Sequence, residues 1–152
     1  MVRAATIADA AVVTHHRVAM FRDMGVLDER EVPALAAATR AYLTTALPSG
    51  AYRGWMVEAD GQVVAGGGVL VRQLLPRPGY AAGGDEAYVL NVYTEPAHRR
   101  RGLARTLMQA ILDWCRAQRI SRVSLHASDD GRPLYEGLGF LQTNEMRLDD
   151  LD

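Results

Sequence analysis

Apolar positions follow one rhythm in the first third of the chain and another after it. From Ile7 to Met24 they recur at helical spacing, with Ala10, Val13, Met20, Phe21 and Met24 sharing a stripe with Arg17. Gly25 is placed to stop that helix. A second helix is predicted from Asp28 or Glu29 to about Leu47, with Pro33 in its first turn and Pro48-Ser49-Gly50 closing it. Val2 to Ala5 reads as a short opening strand, and Thr6 with Asp9 as a relative of the capping box. The pattern then shortens. Trp55–Ala59 and Gln62–Gly66 flank Asp60-Gly61, a hairpin signal, and the second strand extends to about Arg72. Gly66-Gly67-Gly68 inside it predicts a bulge or a close backbone approach. A loop from Leu75 to Gly84 leads to a third strand, Glu86–Thr94, which Pro96 ends. Arg101–Gln118 is the clearest helix, with Leu103, Leu107, Ala110, Ile111 and Trp114 on one face. Ser121–Ala127 reads as a strand, Pro133–Leu138 as a short helix stopped by Gly139, and Phe140–Leu148 as a final strand. This order gives an α+β fold (an α/β mixed sheet) in a single domain over residues 1–152, without repeat or linker.

Composition narrows the functional classes. The chain has 152 residues, 49% hydrophobic and 23% charged, as in an ordinary globular domain. A net charge of −1 leaves no global field to hold nucleic acid or an anionic membrane. The longest apolar runs, such as Ala65–Leu70, are too short to span a bilayer, and the start lacks the apolar stretch of a signal peptide. The one cysteine, Cys115, forms no internal disulfide and no cysteine-built zinc site, so a reduced, cytoplasmic setting is expected. It reads as a structural thiol beside Trp114.

The stretch from Val92 to Ala104 carries the most chemistry. It runs from a strand through Arg99-Arg100-Arg101 into a helix whose first turn holds Gly102 and Ala104. The first N–H groups of a helix lack internal partners and sit at the positive end of its dipole, where a phosphate binds. Gly102 and Ala104 leave the backbone approachable, and the three arginines add charge. On these residues alone, a solvated basic helix start explains the pattern as well as a phosphate site does. The nucleotide P-loop and Gly-x-Gly-x-x-Gly patterns are absent.

Arg99-x-x-Gly102-x-Ala104, followed by Leu107, resembles the Arg/Gln-x-x-Gly-x-Gly/Ala signature of the GNAT superfamily of acyl-CoA-dependent N-acetyltransferases. Leu134-Tyr135-Glu136-Gly137-Leu138-Gly139-Phe140 resembles the family's Tyr-x-x-x-Gly-Phe segment, and Ala127–Pro133 before it is like that of many bacterial members. The likeness covers about Trp55 to Leu148. Two departures stand out: Arg100 occupies a position that is often Gly, and the Asn that many members place before the Tyr segment is missing, leaving Ser128 or Asp129 in its place.

The resemblance implies a GNAT-like acyl-CoA N-acyltransferase fold, a central mixed β-sheet with splayed parallel strands flanked by helices. Acetyl-CoA would be the cosubstrate, with no metal, wedged between Glu86–Thr94 and Ser121–Ala127. The backbone of Val92, Tyr93 and Thr94 would meet the pantetheine arm, and an N–H near Val92 would polarise the thioester carbonyl. The pyrophosphate would lie on the N–H groups of Arg99, Arg100, Arg101, Gly102, Leu103, Ala104 and Arg105, with Ser128 as a further CoA contact in place of the missing Asn. Tyr135 matches the general acid that protonates the leaving sulfur, against a packing role beside Phe140. His126 is a candidate base, its ordinary pKa suiting proton uptake near neutrality; a His paired with a backbone group explains it equally well. Glu86 and Asp85 could act through water, Asn91 could orient, Asp23 and Asp85 could attract a cationic amine, and many members need no dedicated base. Tyr52, Trp55, Tyr80 and Tyr88 are too scattered to define a pocket.

The implied reaction is acetyl transfer to a primary amine by direct attack, on a small-molecule or peptide acceptor, without nucleic acid or membrane partners and compatibly with a homodimer. A CoA sensor is the alternative on the same fold, and it would tolerate loss of Tyr135. A nucleic-acid module built on Arg99–Arg101 would need a wider basic stripe with stacking aromatics.

Overall fold

A computed structural model describes residues 1–151. Five strands lie in the order β1-β2-β3-β4-β5: β1 Val2–Ala4, β2 Tyr52–Ala59, β3 Gln62–Leu74, β4 Gly84–Thr94 and β5 Arg122–Leu125. The first three pairings are antiparallel and β4·β5 is parallel. Helices α1 (Ala10–Asp23) and α2 (Val32–Ser49) precede β2, α3 (Leu103–Ala117) crosses from β4 to β5, and α4 (Arg132–Gly137) follows β5. The mixed sheet flanked by helices is the expected architecture.

The Asp60-Gly61 turn joins β2 to β3 with both residues at positive φ, 52° and 74°. Alternation along β2 then divides the core. Tyr52 and Met56 pack with Ala10, Val13, Leu43 and Ala46 under α1 and α2. Trp55 and Val57 pack with Leu107, Met108, Ile111 and Cys115 under α3. Trp55 and Trp114 meet edge to face at 5.5 Å. Buried Cys115 has its thiol pKa pushed up by desolvation, which keeps it protonated and inert, as its sequence context implies.

Three expectations need correction. The buried face of α1 matches the predicted stripe at Ala10 and Val13 but continues through Thr14, His16, Val18 and Ala19, while Arg17, Met20 and Phe21 are only half-buried and Met24 is exposed. Helix α2 begins at Val32, after a 3-10 turn over Glu29–Glu31, and accommodates Pro48 before Gly50 ends it at φ 79°. The final strand over Phe140–Leu148 is not formed; residues 141–151 are exposed and outside any element. Among the described residues no strand pairs with the outer edge of β5, because the segment leaves α4 across a cavity from that edge instead of along it.

Candidate active site

The glycine run does what its sequence implies, in partnership with a bulge in β4. The β3·β4 register pairs Gly66 with Tyr93 but Gly68 with Leu90, so the extra residue is in β4. Asn91 takes the strain at φ 58°, a conformation Asn tolerates better than most residues. The bulge resets which face the strand presents. Leu90 packs under α1 and α2, and the neighbouring Asn91 faces the same way: Arg17 of α1 donates to its Oδ1 at 2.5 Å, and its Nδ2 donates to the Tyr52 hydroxyl at 3.3 Å. Tyr52 is fully buried, and desolvation raises its phenol to about 12.

β4 and β5 then part. Their parallel ladder runs from Glu86–Arg122 to Val89–Leu125 and stops, while β4 continues to Thr94 without a partner on that side. The unpartnered stretch contains Val92, Tyr93 and Thr94. Val92 faces Gly67, where a Cβ would lie 3.2 Å from both Val92 Cγ2 and Leu107 Cδ2. The Tyr93 ring is buried against His16 at 5.0 Å, so only its backbone is available.

At the end of β4 the chain turns into α3. Thr106 is the first residue to donate an intrahelical bond, to the Gly102 carbonyl at 3.0 Å, which leaves the earlier N–H groups of the helix free to point outward. Arg100 and Gly102 both adopt positive φ, 61° and 76°, and a Cβ on Gly102 would meet nothing within 4 Å. The cradle is open, and it retains its shape with Arg100 where a glycine is common. The arginines divide. Arg99 turns away: it donates to the Thr94 carbonyl at 2.9 Å and to Asp23 at 2.6 Å and lies over the Tyr93 ring. Its charge is therefore spent on α1 rather than added to the cradle, and Asp23 is engaged in return. Among the described residues Arg100, Arg101 and Arg105 make no ion pair. Arg105 reaches across to α4, its Nη2 3.1 Å from where a Gly137 Cβ would be.

Tyr135, on α4, and His126, just past β5, line one cavity of about 790 Å³ beside β5, a cavity that neither Val92–Thr94 nor Arg99–Arg105 borders. Tyr135 is half-buried, edge-on to Phe140 at 5.9 Å, and burial raises its phenol. It therefore holds its proton at neutral pH, as an acid must. The His126 Nδ1 lies 2.5 Å from the Tyr88 hydroxyl, so its partner is a phenol rather than a backbone group. If Nδ1 donates to that oxygen, Nε2 is left as a free acceptor. Ser128 closes the loop before α4, its Oγ accepting from the Gly131 N–H at 3.1 Å.

Two acidic candidates are placed elsewhere. Glu86 is fully buried within the β4·β5 ladder, where Arg72 and Ser124 occupy its oxygens, Ser124 at 3.0 Å. Held this way it anchors strands and is no free base. The Asp85 side chain is exposed, while its carbonyl accepts from the Ser121 N–H at 3.0 Å. The residues missed from sequence are Tyr88, Arg17 and Tyr52 as site neighbours. For Tyr88 a signal existed: parallel register places Tyr88 beside Ser124, one alternation below His126. Among the described residues no group of acidic, His or Cys side chains is arranged for a metal, and no helix is long and apolar enough to cross a membrane.

A split parallel pair above an open helix N-terminus is the architecture of acyl-CoA-binding transferases. Residues 19–140 match the acetyltransferase (GNAT) family model, and the chain belongs to that family. A GCN5-related N-acetyltransferase structure from Ralstonia eutropha JMP134 is 34% identical with a TM-score of 0.91, covering 100% of this chain and 99% of that one. A predicted acetyltransferase from Clostridium acetobutylicum, solved with acetyl-CoA, shares the fold at 24% identity and a TM-score of 0.87, over 99% and 96% of the two chains. A glucosamine 6-phosphate N-acetyltransferase from Trypanosoma brucei brucei is 29% identical over 60% of each chain. A mycothiol acetyltransferase from Beutenbergia cavernae is 38% identical over 57% of this chain and 27% of its own. The match thus spans 60% or less of these two curated relatives.

Proposed function

We propose that residues 1–152 form one catalytic domain that transfers the acetyl group of acetyl-CoA to a primary amine. The observation that carries this reading is the parting of β4 from β5 after the Val89–Leu125 pair, with the free N–H groups of α3 at the end of the longer strand. Unpaired β4 backbone over Val92–Thr94 suits the amide-bearing pantetheine arm as an added strand would. The N–H groups from Arg100 to Arg105, with the side chains of Arg100, Arg101 and Arg105, suit a pyrophosphate, the Arg99 N–H donating instead to the Pro96 carbonyl at 3.4 Å. Ser128 flanks it from the α4 side.

Acetyl-CoA brings an activated thioester; the protein has to orient it and move two protons. Holding amine and thioester on one surface supplies much of the rate. An N–H near Val92 stabilises charge on the carbonyl oxygen. Tyr135 delivers its phenolic proton to the departing sulfur, and His126 Nε2, with Nδ1 held by Tyr88, accepts the proton the amine must lose. The named substrates of the two curated relatives favour a small amine acceptor over a protein. A cytoplasmic setting goes with the single buried thiol. A panel of amino sugars, amino acids, polyamines and short peptides, each offered with acetyl-CoA while free thiol is followed, tests this. Acceptor-dependent thiol release is expected; its absence across the panel, with acetyl-CoA bound, would favour the sensor.

A further inference from the structure

Arg17 is a cation that the fold positions and leaves without a counter-charge. Its side chain is half-buried on α1, and among the described residues it joins no ion pair. It donates through Nη1 to the Asn91 Oδ1 at 2.5 Å, a neutral acceptor that fixes the guanidinium without cancelling its charge. Asn91 is fixed in turn, its Nδ2 donating to the hydroxyl of fully buried Tyr52 at 3.3 Å. The Phe21 ring, one turn further along α1, covers the flat face of the guanidinium at 4.7 Å. Its remaining N–H groups point outward in the plane, the edge by which Arg recognises a carboxylate or a phosphate. Asp23, Glu29 and Glu95, on α1 or against it, pair with Arg99, Arg22 and His15 instead.

The sheet puts this cation on the same face as His126. Leu90 packs under α1 and α2, whereas Val89 belongs to the core under α3. Side chains alternate along a strand, so Tyr88 shares the face of Leu90, and the Tyr88 hydroxyl meets His126 Nδ1 at 2.5 Å. The bulge keeps Asn91, and with it Arg17, on that face just past the last β4·β5 pair. Tyr135 packs against the core under α3 instead. The His126 imidazole and the unneutralised guanidinium therefore share one face of the sheet, and the phenol belongs to the other. Tyr88 and Asn91 are three residues apart on β4, at most about 10 Å at strand spacing. A small molecule spans that distance with its nitrogen at His126 and an acid group at Arg17.

We infer that Arg17 binds an anionic group, a carboxylate or a phosphate, on the amine acceptor, and so sets the substrate class as small amines that carry a negative charge. That the bound molecule is an acceptor rests on the proposed acetyl transfer; the anion site rests on Arg17, Asn91 and Phe21. The guanidinium offers the charge and the in-plane N–H groups, Asn91 sets its direction, and Phe21 keeps it from swinging into solvent. An arginine that only braced the bulge would leave charged and neutral amines equally well bound.

Calorimetric titration with matched amines tests this, in saturating CoA, which carries no acetyl group to transfer and keeps the start of α3 from taking the anion. O-phosphoethanolamine is compared with ethanolamine, and β-alanine with β-alaninamide. At least one anionic member should bind about tenfold or more tightly than its neutral partner, as charge-assisted hydrogen bonds allow, and the pair that discriminates tells phosphate from carboxylate. Arg17→Gln keeps a donor for Asn91 and loses the charge, so both members of that pair should bind alike; Arg17→Lys should keep part of the preference. Equal affinity within both pairs, no binding of either anionic amine, or a preference that survives in folded Arg17→Gln would overturn the inference. Acetyl transfer fails separately, as absent thiol release with acetyl-CoA, which these titrations do not read.

Discussion

Tyr135 owes its proton to where it stands. A half-buried phenol with nothing nearby to stabilise its anion stays protonated until a stronger base appears, and a thiolate leaving beside it is such a base. Tyr135→Phe is therefore expected to lower kcat by at least about tenfold, within the range general acids supply, at an unchanged Kd for acetyl-CoA. A packing role predicts the reverse, a lower melting temperature with kcat intact. His126→Ala should likewise lower kcat about tenfold or more without weakening acetyl-CoA binding; a fully active variant would leave the proton to water. Sequence made both residues legible as members of a motif or a strand. It could not show the Tyr88–His126 pair or the turning of Arg99 toward Asp23, because each joins residues far apart in the chain whose meeting depends on register and helix placement.

Among the elements, the β3·β4 pair decides whether a site exists. The bulge at Asn91 puts Asn91 and Leu90 on one face just past the last β4·β5 pair, Gly67 leaves room for Val92, and Gly66 and Gly68 leave room for β2 on the other side. A Cβ on Gly68 would lie 2.3 Å from the Tyr52 hydroxyl and 2.6 Å from the Arg53 carbonyl, and the backbone carbonyl cannot step aside. Gly68→Ala should destabilise the fold by about 1–3 kcal/mol, the usual cost of overpacking, read from urea unfolding. Wild-type stability in that variant would contradict the account of the glycine run. The three glycines announced an irregularity in sequence, but not that the extra residue belongs to β4. Helix α3 was legible because its one-sided pattern is strong. Helix α1 was not, because its apolar and polar residues are mixed around the axis and tertiary packing, which buries His16, chose the face. The strand expected over Phe140–Leu148 did not form because the chain leaves α4 across a cavity from the free β5 edge, a direction set by tertiary placement and not by local pattern.

Across the whole molecule, acid stability follows from two buried groups. His16 is buried with neither ring nitrogen hydrogen-bonded; Glu95 lies 3.4 Å from Nε2, but desolvation outweighs that attraction and lowers the pKa from its ordinary 6.5. The unfolded chain binds the His16 proton at a pH where the folded chain does not, so stability falls as pH drops through about 6.5. The Asp9 carboxyl is held below its ordinary value by the Arg3 guanidinium at 2.8 Å, so the stability it contributes is lost at still lower pH. The melting temperature should decline from about pH 7.5 to about pH 5.5, and His16→Gln should flatten that decline. An equal slope in both proteins would remove His16 from the explanation.

The same assembly of split strands and open helix start has to bind acetyl-CoA, or the functional account fails. The direct measurement is calorimetric titration of acetyl-CoA into the chain and into Gly102→Glu. Nothing lies within 4 Å of a Cβ at Gly102, so the new carboxylate would stand in the cradle and repel a pyrophosphate there. Because Gly102 sits at φ 76°, Gly102→Ala serves as the control for backbone strain. The account predicts saturable heat with the unsubstituted chain, binding retained by the folded Ala variant and abolished in the Glu variant, with circular dichroism alike in all three. No heat with the unsubstituted chain, or undiminished affinity in a folded Gly102→Glu protein, would contradict it.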